Sequence, residues 1–168
     1  MAEKNAPEIE RKFLIAYPDM RFLREHAQRS RIIQTYLKSD NGNTARVRKR
    51  YDDKTTVYTY TEKRRITNVR RMEYEREISA DEYGALLERA DESRVPIEKE
   101  RYCLDYENQL FEIDIYPFYT DRAIMEIELE NEEQKILFPP EIKIIREVTE
   151  DGRYTNKALA KTIPYDEI

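Results

Sequence analysis

The sequence predicts an α+β fold that is mainly β, an antiparallel sheet with a few flanking helices. The main observation is that about eight segments alternate apolar and polar residues with a period of two, as strands with one buried face do. In addition, the segments with helical spacing are few and short. The chain has 168 residues, which fits a single domain over 1–168. Its 3 glycines do not form either of the glycine-rich phosphate loops.

The composition excludes several classes of protein. The chain carries 30 Lys and Arg against 35 Asp and Glu, a net charge of −5. It has no apolar run near the roughly 18 residues of a membrane helix, and residues 1–10 lack the apolar core of a signal peptide. Mild acidity argues against general nucleic-acid binding. The single Cys103 cannot form an internal disulfide, so we expect a cytoplasmic protein without membrane or nucleic-acid partners.

Each predicted element follows from a local pattern. The predicted strands are 8–13, 32–38, 45–50, 58–63, 71–75, 99–106, 111–115 and 126–129. Helices are predicted where a capping residue precedes helical spacing. They are a helix near 20–30 after Asp19, one after Ser79 with Glu82 completing a capping box, one over 131–137 before Pro139-Pro140, and one over 156–161 after Thr155.

The polar faces of the strands repeat a small number of charged motifs. They are Glu8-x-Glu10-x-Lys12, Arg46-x-Arg48-x-Arg50, Glu73-x-Glu75, Lys99-x-Arg101, Glu112-x-Asp114 and Glu126-x-Glu128. A closed barrel would give these side chains one common interior, suited to a metal ion and a polyanion together. A two-layer sheet with one solvated face explains the same alternation, so the pattern leaves both architectures open.

The acidic motifs suit a hard cation. Glu8 and Glu10 lie two residues apart on a strand and therefore point to the same side, where Mg²⁺ could bind two carboxylates plus waters and phosphates. Lys12 follows as a phosphate-binding charge. The other acidic pairs could complete this site or position a water, and solvent exposure is the alternative for each.

The basic motif suits an anion. Neighbouring arginines at Arg46 and Arg48 repel each other unless an anion neutralises them, and arginine favours bidentate phosphate contacts. Lys63, Arg71, Lys99 and Arg101 would extend this basic wall. Arg50 is interpreted as facing outward near a turn, and Arg64, Arg65 and Arg70 as loop charges. The only histidine is His26, which lies in a predicted helix. The sequence therefore offers neither a Ser-His-Asp or Cys-His catalytic system nor a set of N and S ligands for zinc.

The ordered series of motifs resembles the CYTH superfamily, the triphosphate tunnel metalloenzymes. The similarity begins at Glu8-Ile9-Glu10-Arg11-Lys12 and covers nearly the whole chain, most like the small single-domain bacterial tripolyphosphatases. It continues through Gln34-Thr35-Tyr36-Leu37, Ala45-Arg46-Val47-Arg48, Thr61-Glu62-Lys63, Arg71-Met72-Glu73-Tyr74-Glu75, Ile97-Glu98-Lys99-Glu100-Arg101, Phe111-Glu112-Ile113-Asp114, Glu126-Ile127-Glu128 and 147–160.

The resemblance implies an eight-stranded antiparallel β-barrel that forms a polar tunnel, where a triphosphate is hydrolysed with Mg²⁺ or Mn²⁺. The implied metal ligands are Glu8, Glu10, Asp114, Glu126 and Glu128. The implied substrate-binding residues are Lys12, Tyr36, Arg46, Arg48, Lys63, Lys99, Arg101, Arg153 and Lys157. The implied catalytic or water-positioning residues are Glu10, Glu73, Glu75, Glu112 and Lys157.

Two other functions stay open at this point. One is a nucleotide enzyme of the same superfamily, such as a class IV adenylate cyclase or a thiamine or nucleoside triphosphatase. The other is a polyphosphate-binding module without catalysis, which would need only the basic wall. The oligomeric state is also open, with a homodimer as one alternative.

Overall fold

A computed structural model describes residues 4–39, 43–67 and 70–168, with side chains from residue 9 onward. In these segments the chain forms nine strands and three short α-helices. The strands are β1 (Lys4–Ala16), β2 (Gln28–Leu37), β3 (Thr44–Tyr51), β4 (Thr56–Arg65), β5 (Arg70–Ile78), β6 (Ile97–Tyr106), β7 (Gln109–Ile115), β8 (Arg122–Glu128) and β9 (Ile144–Glu147). The helices are α1 (Met20–His26), α2 (Ala80–Leu87) and α3 (Asn156–Leu159), with a 3₁₀ turn at Gly152–Tyr154.

Eight of the strands close into an antiparallel barrel. Their order is β5-β4-β3-β2-β6-β7-β8-β1, and β1 pairs back onto β5. The long β1 makes this closure because its first part, from Lys4 to Ile9, pairs with β5 while Glu10 to Ala16 pairs with β8. The predicted mainly β barrel is therefore confirmed, and the two-layer alternative is wrong.

The ninth strand was not predicted. β9 pairs with β1 from Phe13 to Ile15, with a register shift between Leu14 and Ile15. Its four residues, Ile144–Glu147, run from two apolar residues to two charged ones. A strand this short, without period-two alternation, gives no sequence signal.

The largest apolar cluster of the described residues lies on the outside of the barrel wall. Phe13, Phe111, Ile113 and Met125 alternate with charged residues along β1, β7 and β8, and they pack with Leu23 of α1. The charged positions between them face the barrel interior. This arrangement explains how a small domain with so many charges still buries a core.

The barrel interior changes from charged to apolar towards one end. On β1, β6 and β8 the inward position beside the charged row is Leu14, Ile97 or Ile124, and these side chains form one buried cluster. Tyr154 and Leu159, from the C-terminal segment, complete that cluster. The apolar plug, defined as these five residues, closes this end of the barrel.

The helices agree with the predictions except in one region. Asp19, Ser79 and Thr155 accept hydrogen bonds from the first backbone N–H groups of α1, α2 and α3. α1 ends at His26, earlier than predicted, because β2 begins at Gln28. No helix in the described part of the chain is long and apolar enough to span a bilayer.

The predicted helix over 131–137 is wrong. Asn131 instead starts a turn, in which its Oδ1 accepts from the Glu133 N–H at 3.0 Å. Further on, the Leu137 N–H donates to Gln109 Oε1 at 3.1 Å. The Leu137 N–H, which a helix would bond to the Glu133 carbonyl, thus donates to a side chain distant in sequence, a tertiary contact that local propensity does not report.

A charged cavity inside the barrel

A cavity of about 570 Å³ occupies the charged part of the barrel interior. Its lining is rich in both signs of charge, with basic side chains in excess among the described residues. The acidic residues are Glu10, Glu73, Glu75, Glu112, Glu126, Glu128 and Asp151, and the basic residues are Lys12, Arg46, Arg48, Arg50, Lys63, Arg65, Arg71, Arg101 and Lys157. The surplus of cations favours an anionic ligand.

The strand register places carboxylates side by side on one wall. Glu10 of β1 is the cross-strand partner of Glu128 of β8, and Glu126 of β8 is the partner of Glu112 of β7. Like charges directly opposite each other on a sheet destabilise it. A cation bound between such carboxylates would remove this cost.

Glu126 occupies the centre of that wall. Burial by itself would raise the pKa of Glu126, but Lys12, Arg101 and Lys99 outweigh burial and hold the pKa well below its usual range. The Lys12 Nζ lies 3.5 Å from a Glu126 carboxylate oxygen. Glu126 is therefore a carboxylate anion that the neighbouring basic side chains already stabilise.

The opposite wall of the cavity is basic. Burial, together with the charges of Arg46 and Arg101, lowers the pKa of Arg48 to about 9. Its guanidinium donates two hydrogen bonds to Gln34 Oε1, at 3.2 and 2.9 Å. A neutral amide oxygen does not compensate the charge of this half-buried guanidinium, so this wall favours an anion in the cavity.

Beneath the cavity floor lies a buried ion cluster. Asp114 accepts from Lys99 Nζ at 2.7 Å and from Arg101 Nε and Nη2 at 2.8 and 2.9 Å. The side chains of Lys99 and Asp114 are fully buried and do not line the cavity. Arg101 does line it, and its Nη1 donates to Glu112 at 2.7 Å. Asp114 thus holds Arg101 in place from below.

The C-terminal segment closes over the cavity. Lys12 Nζ donates to the Tyr154 carbonyl at 3.2 Å, and Lys157 Nζ donates to the Asn43 carbonyl at 3.3 Å. Burial lowers the pKa of Lys157. Arg153, in contrast, is exposed and bonded to Asp151 and Asp166.

Most of the predicted site residues meet in this cavity. Lys99, Asp114 and Arg153 do not line it, and the side chain of Glu8 lies outside the described residues. The predicted residues that line it are Glu10, Lys12, Tyr36, Arg46, Arg48, Lys63, Glu73, Glu75, Arg101, Glu112, Glu126, Glu128 and Lys157.

Sequence reasoning missed several lining residues. Arg50 and Arg65 were interpreted as outward or loop charges, and both line the cavity. Period two could have found them, because Arg50 continues Arg48 and Arg65 continues Lys63 on the same strand face. Arg50 Nε also donates to Ser30 at 2.8 Å. Thr149 and Asn156 lie in the C-terminal segment, where no sequence pattern indicates an inward position.

The carboxylates of the cavity suit a metal ion whose coordination shell is completed by water and substrate. Among the side chains that the structure describes, no three Asp, Glu, His or Cys residues converge closely enough to hold a metal. Mg²⁺ is usually bound by one or two carboxylates, with waters and substrate phosphates completing the shell. Glu10 and Glu128, which are cross-strand partners, can supply the two carboxylates.

Fold and cavity together define a class of protein: a closed β-barrel whose interior brings basic side chains and carboxylates together around one cavity. The chain belongs to the CYTH domain family, which matches residues 6–162.

Two relatives of known name cover nearly the whole chain. An inorganic triphosphatase of Nitrosomonas europaea is 36% identical over 160 residues, covering 94% of this chain and 99% of that one. An inorganic triphosphatase of Acetivibrio thermocellus is 34% identical over 158 residues, covering 94% and 95%. A crystal structure of an inorganic triphosphatase superposes with a TM-score of 0.59 at 34% identity, over 94% of this chain and 97% of that chain.

Proposed function

We propose that this protein hydrolyses inorganic tripolyphosphate, or another triphosphate, in the charged cavity with a divalent metal ion as cofactor. The observation that carries this proposal is the pairing of a basic wall with the facing carboxylates Glu10 and Glu128. A module that only binds polyphosphate would need the basic wall alone. The inorganic triphosphatases at 34–36% identity support the same activity.

Each wall has a separate task in the proposed reaction. Arg46, Arg48 and Arg101 would hold the phosphates and stabilise the charge that develops on the leaving pyrophosphate. Glu10 and Glu128 would hold Mg²⁺ or Mn²⁺, which polarises phosphate oxygens when bound. Water adds to the terminal phosphorus as the P–O bond to pyrophosphate breaks. The carboxylates that would orient this water are Glu73, Glu75 and Glu112, which line the cavity.

The cytoplasm is the proposed setting. Burial raises the pKa of the Cys103 thiol, and the thiol lies 3.5 Å from Arg50 Nη2. A free, partly buried thiol is typical of a reducing compartment.

Parallel substrate assays test the proposed activity. Phosphate release is measured from tripolyphosphate, ATP and thiamine triphosphate, each with Mg²⁺ and with Mn²⁺, and cyclic AMP is measured in the ATP reactions. We expect fast release from tripolyphosphate and none when EDTA removes the metal. Cyclic AMP formation would contradict the proposal and indicate a cyclase, while binding without turnover would indicate a binding module.

Tripolyphosphate is expected to stabilise the protein even without metal, because it neutralises the basic wall. At a concentration 100 times its Kd, a ligand adds about 2.7 kcal/mol to the free energy of unfolding. For a domain of this size, that raises Tm by about 5–11 °C. Thermal melting in EDTA measures the shift. The double variant R46Q/R48Q should lose most of it, and an unchanged shift in this variant would contradict the anion-binding role of the wall.

A further inference from the structure

A fully buried glutamine connects the basic wall to the cavity tyrosine. Gln34 of β2 is 0% exposed, and it lies between Arg48 and Tyr36. Its Oε1 accepts both hydrogen bonds from the Arg48 guanidinium, and its Nε2 lies 3.2 Å from the Tyr36 hydroxyl oxygen. Gln34 itself does not line the cavity, whereas Arg48 and Tyr36 do.

The direction of these hydrogen bonds is fixed by chemistry. A guanidinium has only donors, so the oxygen of Gln34 must face Arg48. The amide NH₂ of Gln34 must then face Tyr36, where it can only donate. The Tyr36 oxygen is therefore the acceptor in this contact, and its own hydrogen has to point elsewhere.

Tyr36 differs in this respect from the other buried tyrosines of this region. Tyr116 donates its hydroxyl hydrogen to Asn156 Oδ1 at 2.5 Å, and Tyr119 donates to the Pro164 carbonyl at 2.7 Å. For the Tyr36 hydroxyl group, the only hydrogen bond seen within the described residues is the one that it accepts from Gln34. Tyr36 is 5% exposed and lines the cavity, so its hydrogen can reach a ligand there.

We propose that Gln34 is a positioning residue that turns the Tyr36 O–H into the cavity, as a donor to a phosphate oxygen of the substrate. The chain of donors runs from Arg48 through Gln34 to Tyr36 and ends on the anion. This inference rests on the proposed function, because it names a phosphate as the acceptor. It deepens that function by giving the tyrosine a definite role in substrate binding.

A double-mutant cycle between Gln34 and Tyr36 tests the proposal. In wild type, Y36F removes a donor to a charged oxygen and should weaken tripolyphosphate binding about tenfold. In Q34E, the new carboxylate still accepts from Arg48 but also accepts from Tyr36, which turns the O–H away from the cavity. In that background, Y36F should change the Kd less than twofold. The added charge of Q34E is present in both arms and cancels in the cycle.

The measurements are the Kd by calorimetry in EDTA and, with metal, KM and kcat. We expect the effect of Y36F on Kd and on KM to depend on the residue at position 34. The value of kcat should change much less in every variant. Q109E is the matched control, since Gln109 donates to the Leu137 carbonyl at 2.8 Å and does not line the cavity. In the Q109E background, Y36F should still weaken tripolyphosphate binding about tenfold. Should Q34E fail to fold, Q34M replaces it in the cycle, because it too removes the donor that orients Tyr36.

The outcomes separate the two proposals. One outcome is that wild type hydrolyses tripolyphosphate and Y36F raises the Kd by the same factor with Gln34 and with its replacement. The positioning role is then overturned, while the proposed function stands. If wild type neither binds nor hydrolyses tripolyphosphate, the proposed function fails and the positioning role fails with it.

Discussion

Replacing Asp114 with asparagine is expected to lower the free energy of unfolding by about 3–5 kcal/mol, which is typical when one partner of a buried ion pair is removed. The carboxylate is fully buried and bonded to both Lys99 and Arg101. Burial opposes its charge, but these two cations outweigh burial and lower the pKa of Asp114 below its usual range. Without Asp114, Arg101 keeps its charge. Burial lowers the pKa of Lys99 to about 7. In the variant, Lys99 can therefore release a proton and avoid the free-energy cost of an unpaired buried charge.

Denaturant unfolding of Asp114→Asn in EDTA measures this effect. The corresponding drop in Tm is about 6–20 °C. Glu25→Gln is the control, because Glu25 and its partner Arg21 are 55% and 84% exposed, and the loss of such a surface ion pair should lower the free energy of unfolding by less than about 1 kcal/mol. A loss that appears only when metal is present would instead place Asp114 among the metal ligands, as the family resemblance implied.

The pH dependence of this contribution has a definite sign. The folded-state pKa of Asp114 is depressed, so its stabilising effect is complete above the unfolded-state value, about 3.9. The effect is lost as the pH falls through the lower, folded-state pKa. Wild type should therefore lose stability more steeply than Asp114→Asn below about pH 4.

Period-two alternation predicted most of the strands and the charged motifs that line the cavity, while the closed barrel that gives these motifs one interior came from the family resemblance. Alternation works here because a barrel wall has only two faces, so residues two apart on Glu10-x-Lys12 or Arg46-x-Arg48 must share an interior. The same rule would have included Arg50 and Arg65, which line the cavity. They were set aside because each lies near a turn, where alternation was expected to end.

Alternation alone could not tell which inward residues reach the cavity. Glu112 and Asp114 both face inward, yet Glu112 lines the cavity and Asp114 is buried beneath it. The difference depends on depth along the barrel, where the apolar plug begins beside Asp114 at its cross-strand partner Ile124. Depth is set by strand tilt and stagger, which a single sequence does not specify.

Glu10→Gln is expected to remove most of the turnover while the protein stays folded. Glu10 faces Glu128 across the β1–β8 ladder, and both line the cavity at the proposed metal site. Removing one of two carboxylates should weaken metal binding and lower kcat by about 100-fold or more, comparable to the loss of a preorganised group that stabilises the transition state. In EDTA, the variant should stay folded, because the substitution keeps the side-chain volume and removes one of two facing like charges.

Metal-dependent phosphate release from tripolyphosphate, together with thermal melting with and without Mn²⁺, measures both effects. Glu147→Gln is the matched control on the same part of the barrel, since Glu147 pairs with Arg11 and does not line the cavity. It should keep wild-type kcat. Near-normal, metal-dependent turnover by Glu10→Gln would count against the proposed metal site. A variant that is inactive and also unfolded in EDTA would mean that Glu10 acts in stability, because a metal ligand is dispensable for folding when no metal is present.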